Sequence, residues 1–390
     1  MRKTGGLPTN RRTSRVRRNR MKLFTPLLSI LTILLTMTAT ASDVRFYLGT
    51  YTNTPPSQGI YLGVFNTETG QLGPITLAAP AKNPSYVALS PNRHFLYAVT
   101  EAPEGSVSAF RVEADGKLTF LNTRSAEGAA PCHISVDATG KNVLVANYNG
   151  GNVISFPIEA DGSLGARTAM IAYTGSSVNA QRQSKPHAHS IYADADNRRV
   201  YSCDLGTDSV WIFQFDPARG TLTPNEPAAF KGTPGAGPRH LALAPDGKFY
   251  YLINEMALTV SVLARDEKTG ALTEVQTIST LPEGVSREGT STAAIKLHPN
   301  GRWLYASNRG HDSITLYAVG TDGKLTYVDN VSAGVQVPRD FSIDPSGRWI
   351  LATGQKDGKV AVLRIDPATG KLSLTDQSAT VGTTVCVVFY

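Results

Sequence analysis

A pattern of about 50 residues recurs seven times along this chain, and it constrains the fold more than any other feature of the sequence. Residues 237–255, GPRHLALAPDGKFYYLINE, show it most clearly: an alternating apolar run, a Pro-Asp-Gly-Lys turn and a second apolar run. Apolar residues at every second position around such a turn predict a β-hairpin. The second apolar runs of the seven copies end at Thr50, Thr100, Asn147, Asp204, Asn254, Asn308 and Gly354.

Each copy continues with a third apolar run, such as GNVISF or DSVWIF, and then with a Gly-containing turn and a fourth run. Four short strands repeated seven times predict an all-β, seven-bladed β-propeller instead of separate domains. The first copy lacks its opening strand, whereas the chain ends in an unassigned apolar run, TTVCVVFY. We predict that residues 383–390 form the innermost strand of blade 1 and close the ring, because closure removes an exposed sheet edge.

The positive charge of the chain is concentrated at its N-terminus. The formal net charge is +7, from 38 Lys and Arg against 31 Asp and Glu, and residues 1–41 hold nine of the basic residues and none of the acidic ones. The rest of the chain is therefore nearly balanced, and nothing in its composition indicates a nucleic-acid partner.

Residues 1–41 have the features of a signal peptide. Met21-Lys22 precede the apolar run LFTPLLSILTILLTM, and residues 39–41 form an Ala-x-Ala cleavage site. We expect translation from Met21, cleavage after Ala41 and export of residues 42–390 to the periplasm or the medium, with no membrane span left. An uncleaved membrane anchor is the alternative, although the run is short for a span.

The three cysteines, Cys132, Cys203 and Cys386, match no zinc-binding spacing, and an odd number leaves at least one free thiol. We interpret all three as small buried strand residues. The glycine-rich segments match no phosphate-binding loop followed by a helix, which argues against nucleotide binding.

A propeller would bring distant residues to one mouth of its channel, because the start of the first strand and the end of the second lie at the same end of an antiparallel pair. The richest set is His189, Arg239, Glu255 and Arg309, in blades 4 to 6. Arginine suits anion or oxyanion recognition, and His or Glu can act as a general base. The long polar loops at residues 171–185 and 280–291 are suited to wall a small-molecule site.

Other residues at the same repeat positions extend this set. The candidates for substrate binding are His133, His187, His240 and Arg339. A structural hydrogen bond is the alternative for His133 and His240, which are expected to share a repeat position with His189, and it is also open for His189 itself. An ion pair between blades is the alternative for Arg239 and Glu255.

Several segments carry a resemblance to a known family: APCHISVDATGKNVLVANYNGGNV, HAHS, DLGTDSV, PGAGPRHLALAPDGKFYYLINE, LYASNRGHDSI and VPRDFSIDPSGRWILATGQ. The chain resembles the seven-bladed propeller lactonases, which include propeller-type 6-phosphogluconolactonase and to which a fungal carboxy-muconate cycloisomerase is similar. The resemblance implies hydrolysis of a sugar lactone with no metal or other cofactor. It carries the cycloisomerase-type site onto His189, Arg239, Glu255 and Arg309. One departure is Ala294, where relatives often have an acid.

The residues and the resemblance together predict hydrolysis of a sugar δ-lactone to the aldonic acid. Arg239 and Arg309 are expected to hold the carbonyl oxygen as it becomes anionic, and Glu255 or His189 to deprotonate the attacking water. Export favours an unphosphorylated lactone, because phosphorylated sugars are mostly cytoplasmic. Two alternatives stay open, a calcium-dependent gluconolactonase-type hydrolase and a non-catalytic binding or assembly propeller.

Overall fold

Twenty-eight strands and no helix are found in residues 42–390, the part of the chain that the computed structural model describes. The strands form seven four-stranded antiparallel sheets, and the innermost strands of neighbouring sheets contact one another all the way round. The predicted all-β, seven-bladed propeller is confirmed. The expected signal peptide, residues 1–41, lies outside the described residues. None of residues 42–390 lies in a helix with the length and hydropathy that a membrane span requires.

The strands follow one order from the axis outward in every blade. The innermost strands of blades 1 to 7 are β28 (Thr384–Phe389), β4 (Val87–Leu89), β8 (Pro131–Val136), β12 (Ala188–Ala193), β16 (Pro238–Leu243), β20 (Ser291–Leu297) and β24 (Pro338–Ile343). The second strands are β1 (Asp43–Thr50), β5 (Phe95–Thr100), β9 (Asn142–Asn147), β13 (Arg199–Asp204), β17 (Phe249–Asn254), β21 (Trp303–Arg309) and β25 (Trp349–Gly354).

The two outer strands complete each blade. The third strands are β2 (Gly59–Asn66), β6 (Ser106–Val112), β10 (Asn152–Pro157), β14 (Ser209–Asp216), β18 (Thr259–Arg265), β22 (Ser313–Val319) and β26 (Lys359–Ile365). The outermost strands are β3 (Leu72–Pro80), β7 (Leu118–Ser125), β11 (Ala169–Ala172), β15 (Thr221–Lys231), β19 (Leu272–Ser279), β23 (Leu325–Ser332) and β27 (Leu372–Thr380).

The C-terminal strand closes the ring, as predicted. β28 pairs antiparallel with β1, with Tyr47 opposite Val388 and Leu48 opposite Val387, and it is the innermost strand of blade 1. Tyr390 N donates a 2.8 Å hydrogen bond to Arg45 O, so the pairing continues past the end of β28. The first and last strands of the chain thus share one sheet, which leaves β1 without an open edge.

The hydrophobic core is divided into seven clusters, one at each interface between neighbouring blades. At the closure, Phe65 of blade 1 meets Trp349 of blade 7 edge to face at 6.1 Å, and the indole N–H of Trp349 donates to Thr67 O. All six residues of β9 are buried, whereas the outermost strand β7 is largely exposed. The three cysteines are buried strand residues with free thiols, which confirms their interpretation.

Tyrosines on the second strands of blades 1, 2, 4 and 6 each bind their blade to the next one. The pairs of tyrosine hydroxyl and accepting carbonyl are Tyr47 with Gly116, Tyr97 with Gly162, Tyr201 with Gly270 and Tyr305 with Gly370, at 2.7 to 3.0 Å. These glycines lie in the predicted turns and have φ between 73° and 87°, a conformation that residues with a Cβ rarely adopt. The turn glycine of one repeat therefore supplies the hydrogen-bond acceptor for its neighbour.

Candidate active site

A β-bulge near the start of the innermost strand adds one residue in several blades. In blade 5, Pro238 is paired with Asn254 and His240 with Ile253, so Arg239 between them has no cross-strand partner. The equivalent extra residues of blades 3, 4 and 7 are Cys132, His189 and Arg339. Bulges change the direction of a side chain relative to the regular alternation of a strand. The innermost strands therefore present these four side chains at the end of the channel where the second strands finish.

The GAGPRH segment, which leads into the innermost strand of blade 5, binds the backbone of Glu255 at the end of the channel where Arg239 lies. Gly237 has a φ of 71°, and its N–H donates a 2.7 Å hydrogen bond to Asp208 Oδ1. Its carbonyl accepts a 2.7 Å hydrogen bond from Glu255 N. A Cβ at position 237 would lie 3.0 Å from the side chain of Met256 in a backbone conformation that favours glycine. This glycine thus lets the residues before β16 and after β17 run side by side.

All four residues predicted to be catalytic meet at the carboxylate of Glu255. Its Oε2 lies 3.2 Å from Arg239 Nε, 3.1 Å from Arg309 Nη2 and 3.7 Å from His189 Nε2. Its Oε1 accepts a 2.7 Å hydrogen bond from Arg182 Nη2, which the sequence did not lead us to expect. Three guanidinium groups therefore surround one buried carboxylate, and they come from blade 5, blade 6 and the loop before blade 4.

The surroundings fix the charge states of these groups. Burial alone would raise the pKa of Glu255, but its cationic partners, Arg309 foremost, hold that pKa far below the usual range of a carboxyl group. Burial and the nearby Arg239 keep the pKa of His189 well below the usual value of an imidazole, so this side chain is neutral at physiological pH. Burial and the charge of Arg309 lower the pKa of Arg239 to about 10, which leaves it protonated.

A cavity of about 230 Å³ opens beside the Glu255 carboxylate. It is lined by Tyr51, Glu101, Cys132, Tyr148, Arg182, His189, Glu255, Arg309 and Arg339. Arg239 is absent from this set, because its side chain is only 2% exposed and its Nη1 donates a 2.6 Å hydrogen bond to Ala293 O. The expectation that Arg239 holds a substrate oxygen is therefore not supported, and its contacts make it a support for Glu255.

The structure separates the four residues expected to bind substrate. Arg339 lines the cavity, with its guanidinium over the ring of Tyr51. His133 and His240 are buried and pack against each other, with ring centroids 5.3 Å apart, and His133 Nδ1 accepts a hydrogen bond from a backbone N–H. These contacts favour the structural alternative for both. The pairing registers also place His133 and His240 one residue beyond the position of His189, so the shared repeat position expected from the sequence is wrong. His187 stacks on Tyr148 at 4.4 Å and holds that ring at the cavity.

The side chain at position 294, noted in the sequence as a departure from the family resemblance, does not face the cavity. The side chain of Ala294 is fully buried in the hydrophobic cluster between blades 6 and 7. Its backbone N–H donates a 2.9 Å hydrogen bond to Ser307 Oγ. The alanine in this chain therefore removes no charged group from the cavity.

Several residues that line the cavity were not predicted from the sequence, chiefly Glu101, Tyr148 and Arg182. Glu101 and Tyr148 directly follow second strands, as Glu255 does, so their repeat position was the available signal. Arg182 lies in the long loop before blade 4, which was expected to wall the site. The neighbouring Gln183 anchors this loop through 2.8 Å hydrogen bonds to Leu205 O and to Asp208. The loop before blade 6 supplies none of the cavity-lining residues named above.

Metal ligands are not grouped in the described part of the protein. Among residues 42–390, no set of three or more His, Cys, Asp or Glu side chains is arranged to hold a metal ion. The cavity instead combines four guanidinium groups, three lining it and one beneath it, with the two carboxylates of Glu101 and Glu255. Its positive excess is suited to bind an anion or to stabilise a negative charge that develops during a reaction.

Comparison with known proteins gives consistent matches over nearly all of residues 42–390. Residues 45–389 match the family described as "Lactonase, 7-bladed beta-propeller". The chain is 36% identical to the 6-phosphogluconolactonase of Bacillus subtilis over 346 residues, which cover 88% of this chain and 97% of that relative. It is 30% identical to the 6-phosphogluconolactonase of Formosa agariphila over 343 residues, 86% of this chain and 96% of that one. The solved structure of a periplasmic gluconolactonase from Pseudomonas aeruginosa matches with a TM-score of 0.85 and 31% identity, covering 89% of this chain and 99% of that chain.

Proposed function

The chain belongs to the seven-bladed β-propeller lactonase family, and from this premise we propose that it hydrolyses a sugar δ-lactone to the corresponding aldonic acid. The observation that carries the proposal is the cavity itself, in which Arg182, Arg309 and Arg339 surround a space beside one fully ion-paired carboxylate. Hydrolysis of a lactone turns the neutral carbonyl oxygen into an anion in the transition state. Preorganised cationic donors at that oxygen are the most effective way to lower the barrier.

The arginines that line the cavity have donors left for a substrate. A guanidinium group carries five N–H donors. Arg309 uses Nη2 for Thr292 O and Glu255, and Arg182 uses Nη2 for Tyr148 and Glu255. We therefore assign the oxyanion to the cavity-lining arginines, with Arg309 retained from the sequence prediction. Arg239 does not line the cavity, and we assign it the role of holding the Glu255 carboxylate in place.

Of the two general bases expected from the sequence, Glu255 fits the role poorly. A carboxylate that contacts three guanidinium groups is strongly stabilised in its ionised form, so it accepts a proton reluctantly. Its contacts suit another task, which is to hold Arg182 and Arg309 in the positions that an oxyanion requires.

A panel of lactones tests the proposed function. We expect the protein that begins at Ser42 to hydrolyse δ-gluconolactone, 6-phosphoglucono-δ-lactone or both, well above the spontaneous rate, because both present the same ester carbonyl to the cavity. The rate is followed as proton release, with and without a chelator. Loss of activity with the chelator would instead favour the calcium-dependent type of hydrolase. A rate that never exceeds the blank for any sugar lactone would favour a binding propeller.

The same panel addresses substrate choice. An export signal favours the unphosphorylated lactone. The positive charge around the cavity is compatible with both lactones and does not discriminate between them. The preferred substrate is the lactone with the higher kcat/KM when both are measured in one buffer. A phosphate group that the cavity recognises would raise kcat/KM for the phosphorylated lactone above that for the unphosphorylated one. We propose the unphosphorylated lactone as the preferred substrate.

We also propose that the protein is exported and acts outside the cytoplasm. The proposal rests on residues 21–41, in which an apolar run is followed by an Ala-x-Ala site. Fractionation of cells that express the full chain should recover the protein in the periplasm or the medium, with an N-terminus at Ser42 by mass spectrometry. Recovery in the membrane fraction with residues 21–41 still attached would support the anchored alternative.

A further inference from the structure

A second carboxylate, that of Glu101, lies in the same cavity and has a different environment from Glu255. Glu101 directly follows β5 in blade 2. Its Oε2 accepts hydrogen bonds from Ser85 Oγ in the same blade and, at 2.9 Å, from the hydroxyl of Tyr51 in blade 1. Two neutral donors from two blades thus hold this carboxylate, and they leave its charge uncompensated by direct ion pairing.

The other oxygen of Glu101 is free for a ligand. Within residues 42–390, both hydrogen bonds to the Glu101 carboxylate go to Oε2, and no hydrogen bond or ion pair is formed with Oε1. Glu101 and Tyr51 line the 230 Å³ cavity, and they also line a second, wider hollow of about 790 Å³ at the same mouth. Glu101 therefore borders both the arginine-lined cavity and the wider hollow.

The two bases named from the sequence are less accessible than Glu101. Both oxygens of Glu255 contact arginine side chains. The side chain of His189 is only 5% exposed, and its Nε2 lies 3.7 Å from Glu255 while its Nδ1 lies 3.7 Å from Cys132 Sγ. Both ring nitrogens of His189 thus face protein atoms. Of these three candidates, Glu101 is the one with an oxygen available to a water molecule in the cavity.

We propose that Glu101 is the general base of the hydrolysis, an inference that rests on the proposed function. Glu101 takes a proton from a water molecule as the water oxygen bonds to the carbonyl carbon of the lactone, and the carbonyl electron pair moves to the oxygen beside the arginines. The pair then returns, the bond from that carbon to the ring oxygen breaks, and the proton on Glu101 passes to the departing oxygen. The product is the open hydroxy acid, which ionises to release one proton to solvent.

The groups around Glu101 are compatible with this role. The titratable and charged side chains that face it are Tyr51, Cys132 and Arg339, with the Glu255 ion cluster across the cavity. Burial keeps the pKa of Tyr51 and of Cys132 well above the usual values of a phenol and a thiol, so both stay neutral near pH 7. Burial alone would lower the pKa of Arg339, but Tyr51 and Glu101 raise it overall, so Arg339 stays positive.

The test is the Glu101→Gln variant, which keeps the shape of the side chain and an oxygen for Ser85 and Tyr51. We expect kcat to fall about 100- to 10,000-fold with little change in KM, since this is the usual contribution of a general base. A general base must be unprotonated to act, so we expect wild-type kcat/KM to decline toward low pH and this decline to disappear in the variant. The matched control is Glu104→Gln, an exposed glutamate three residues away, which should keep the wild-type rate.

Each other outcome has a distinct meaning. If Glu101→Gln raises KM and keeps the acid limb of the pH profile, Glu101 binds the substrate and is not the base. If Glu101→Gln keeps its rate while His189→Gln loses the acid limb, His189 is the base and the inference is overturned. Both results require an active wild type, so they leave the proposed function intact. A folded wild-type protein that hydrolyses no lactone removes the proposed function, and the inference with it.

Discussion

Removal of residues 383–390 is expected to abolish folding of the ring. Val385, Cys386 and Val387 are buried in β28, and this strand contributes to two core clusters, with Cys386 between blades 1 and 2 and Val387 between blades 7 and 1. Burial of three such side chains stabilises a fold by about 1.5–3 kcal/mol each. With the lost strand pairing, this approaches the whole stability margin of about 5–15 kcal/mol for a typical protein. We expect insoluble protein, or a soluble species without a cooperative thermal transition.

A relocated strand provides the control. Tyr390 N donates to Arg45 O, so the end of β28 lies beside the start of β1. A chain with residues 383–390 moved in front of Asp43 through a short turn should therefore fold, because the same strand pairs in the same direction. The proposed closure would be contradicted if the plain deletion melted at the wild-type temperature.

The Glu255→Gln substitution is expected to have the second large effect. It removes the carboxylate that contacts Arg182, Arg239 and Arg309, and it leaves Arg239 buried without a counter-charge. Breaking a buried ion pair by removal of one partner costs about 3–5 kcal/mol of stability. Lactone hydrolysis should fall at least 100-fold, the lower range for the loss of one oxyanion donor, because the arginines lose their anchor. Urea unfolding and initial rates measure the two effects.

The effect on stability should depend on pH. The pKa of Glu255 is lower in the folded protein than the value of about 4.3 for an exposed glutamate. Its contribution is therefore fully present above about pH 4.3 and is lost as pH falls through the folded-state pKa. The difference in melting temperature between wild type and Glu255→Gln should be constant near neutral pH and narrow below about pH 4.

The exposed Glu288 supplies a matched change of charge. Glu288 lies in the loop before blade 6, and Glu288→Gln should measurably alter neither the stability of the protein nor its rate of lactone hydrolysis. If Glu255→Gln were as stable and as active as Glu288→Gln, the ion cluster would have no part in folding or catalysis.

Much of the site could be predicted from the sequence repeat alone. The same repeat positions that predicted seven blades also predicted that His189, Arg239, Glu255 and Arg309 meet at one mouth, and the structure brings them together. This worked because a regular repeat assigns each residue a place relative to the channel. Core positions recur as apolar residues, so polar residues that differ between repeats are identified as site candidates.

The direction in which each side chain points could not be predicted from the repeat. Arg239 and Arg339 occupy the same bulged position in two blades, yet Arg339 lines the cavity and Arg239 lies beneath it. The difference comes from neighbours on other blades, since Arg239 binds Ala293 O and Glu255 whereas Arg339 lies over Tyr51. Arg182 reaches Glu255 from an irregular loop, to which no repeat position applies.

The amino-acid pattern by itself determined the number of blades, the strand that closes them and the end of the channel at which polar groups gather. These are consequences of strand alternation and of repeat spacing, both of which are local properties of the chain. Only the tertiary structure decided which arginines line the cavity. It also decided that the Glu255 carboxylate is neutralised by arginines and that the Glu101 carboxylate keeps a free oxygen. Those outcomes depend on contacts between blades that are far apart in sequence, where burial and the nearest opposite charge set the state of each group.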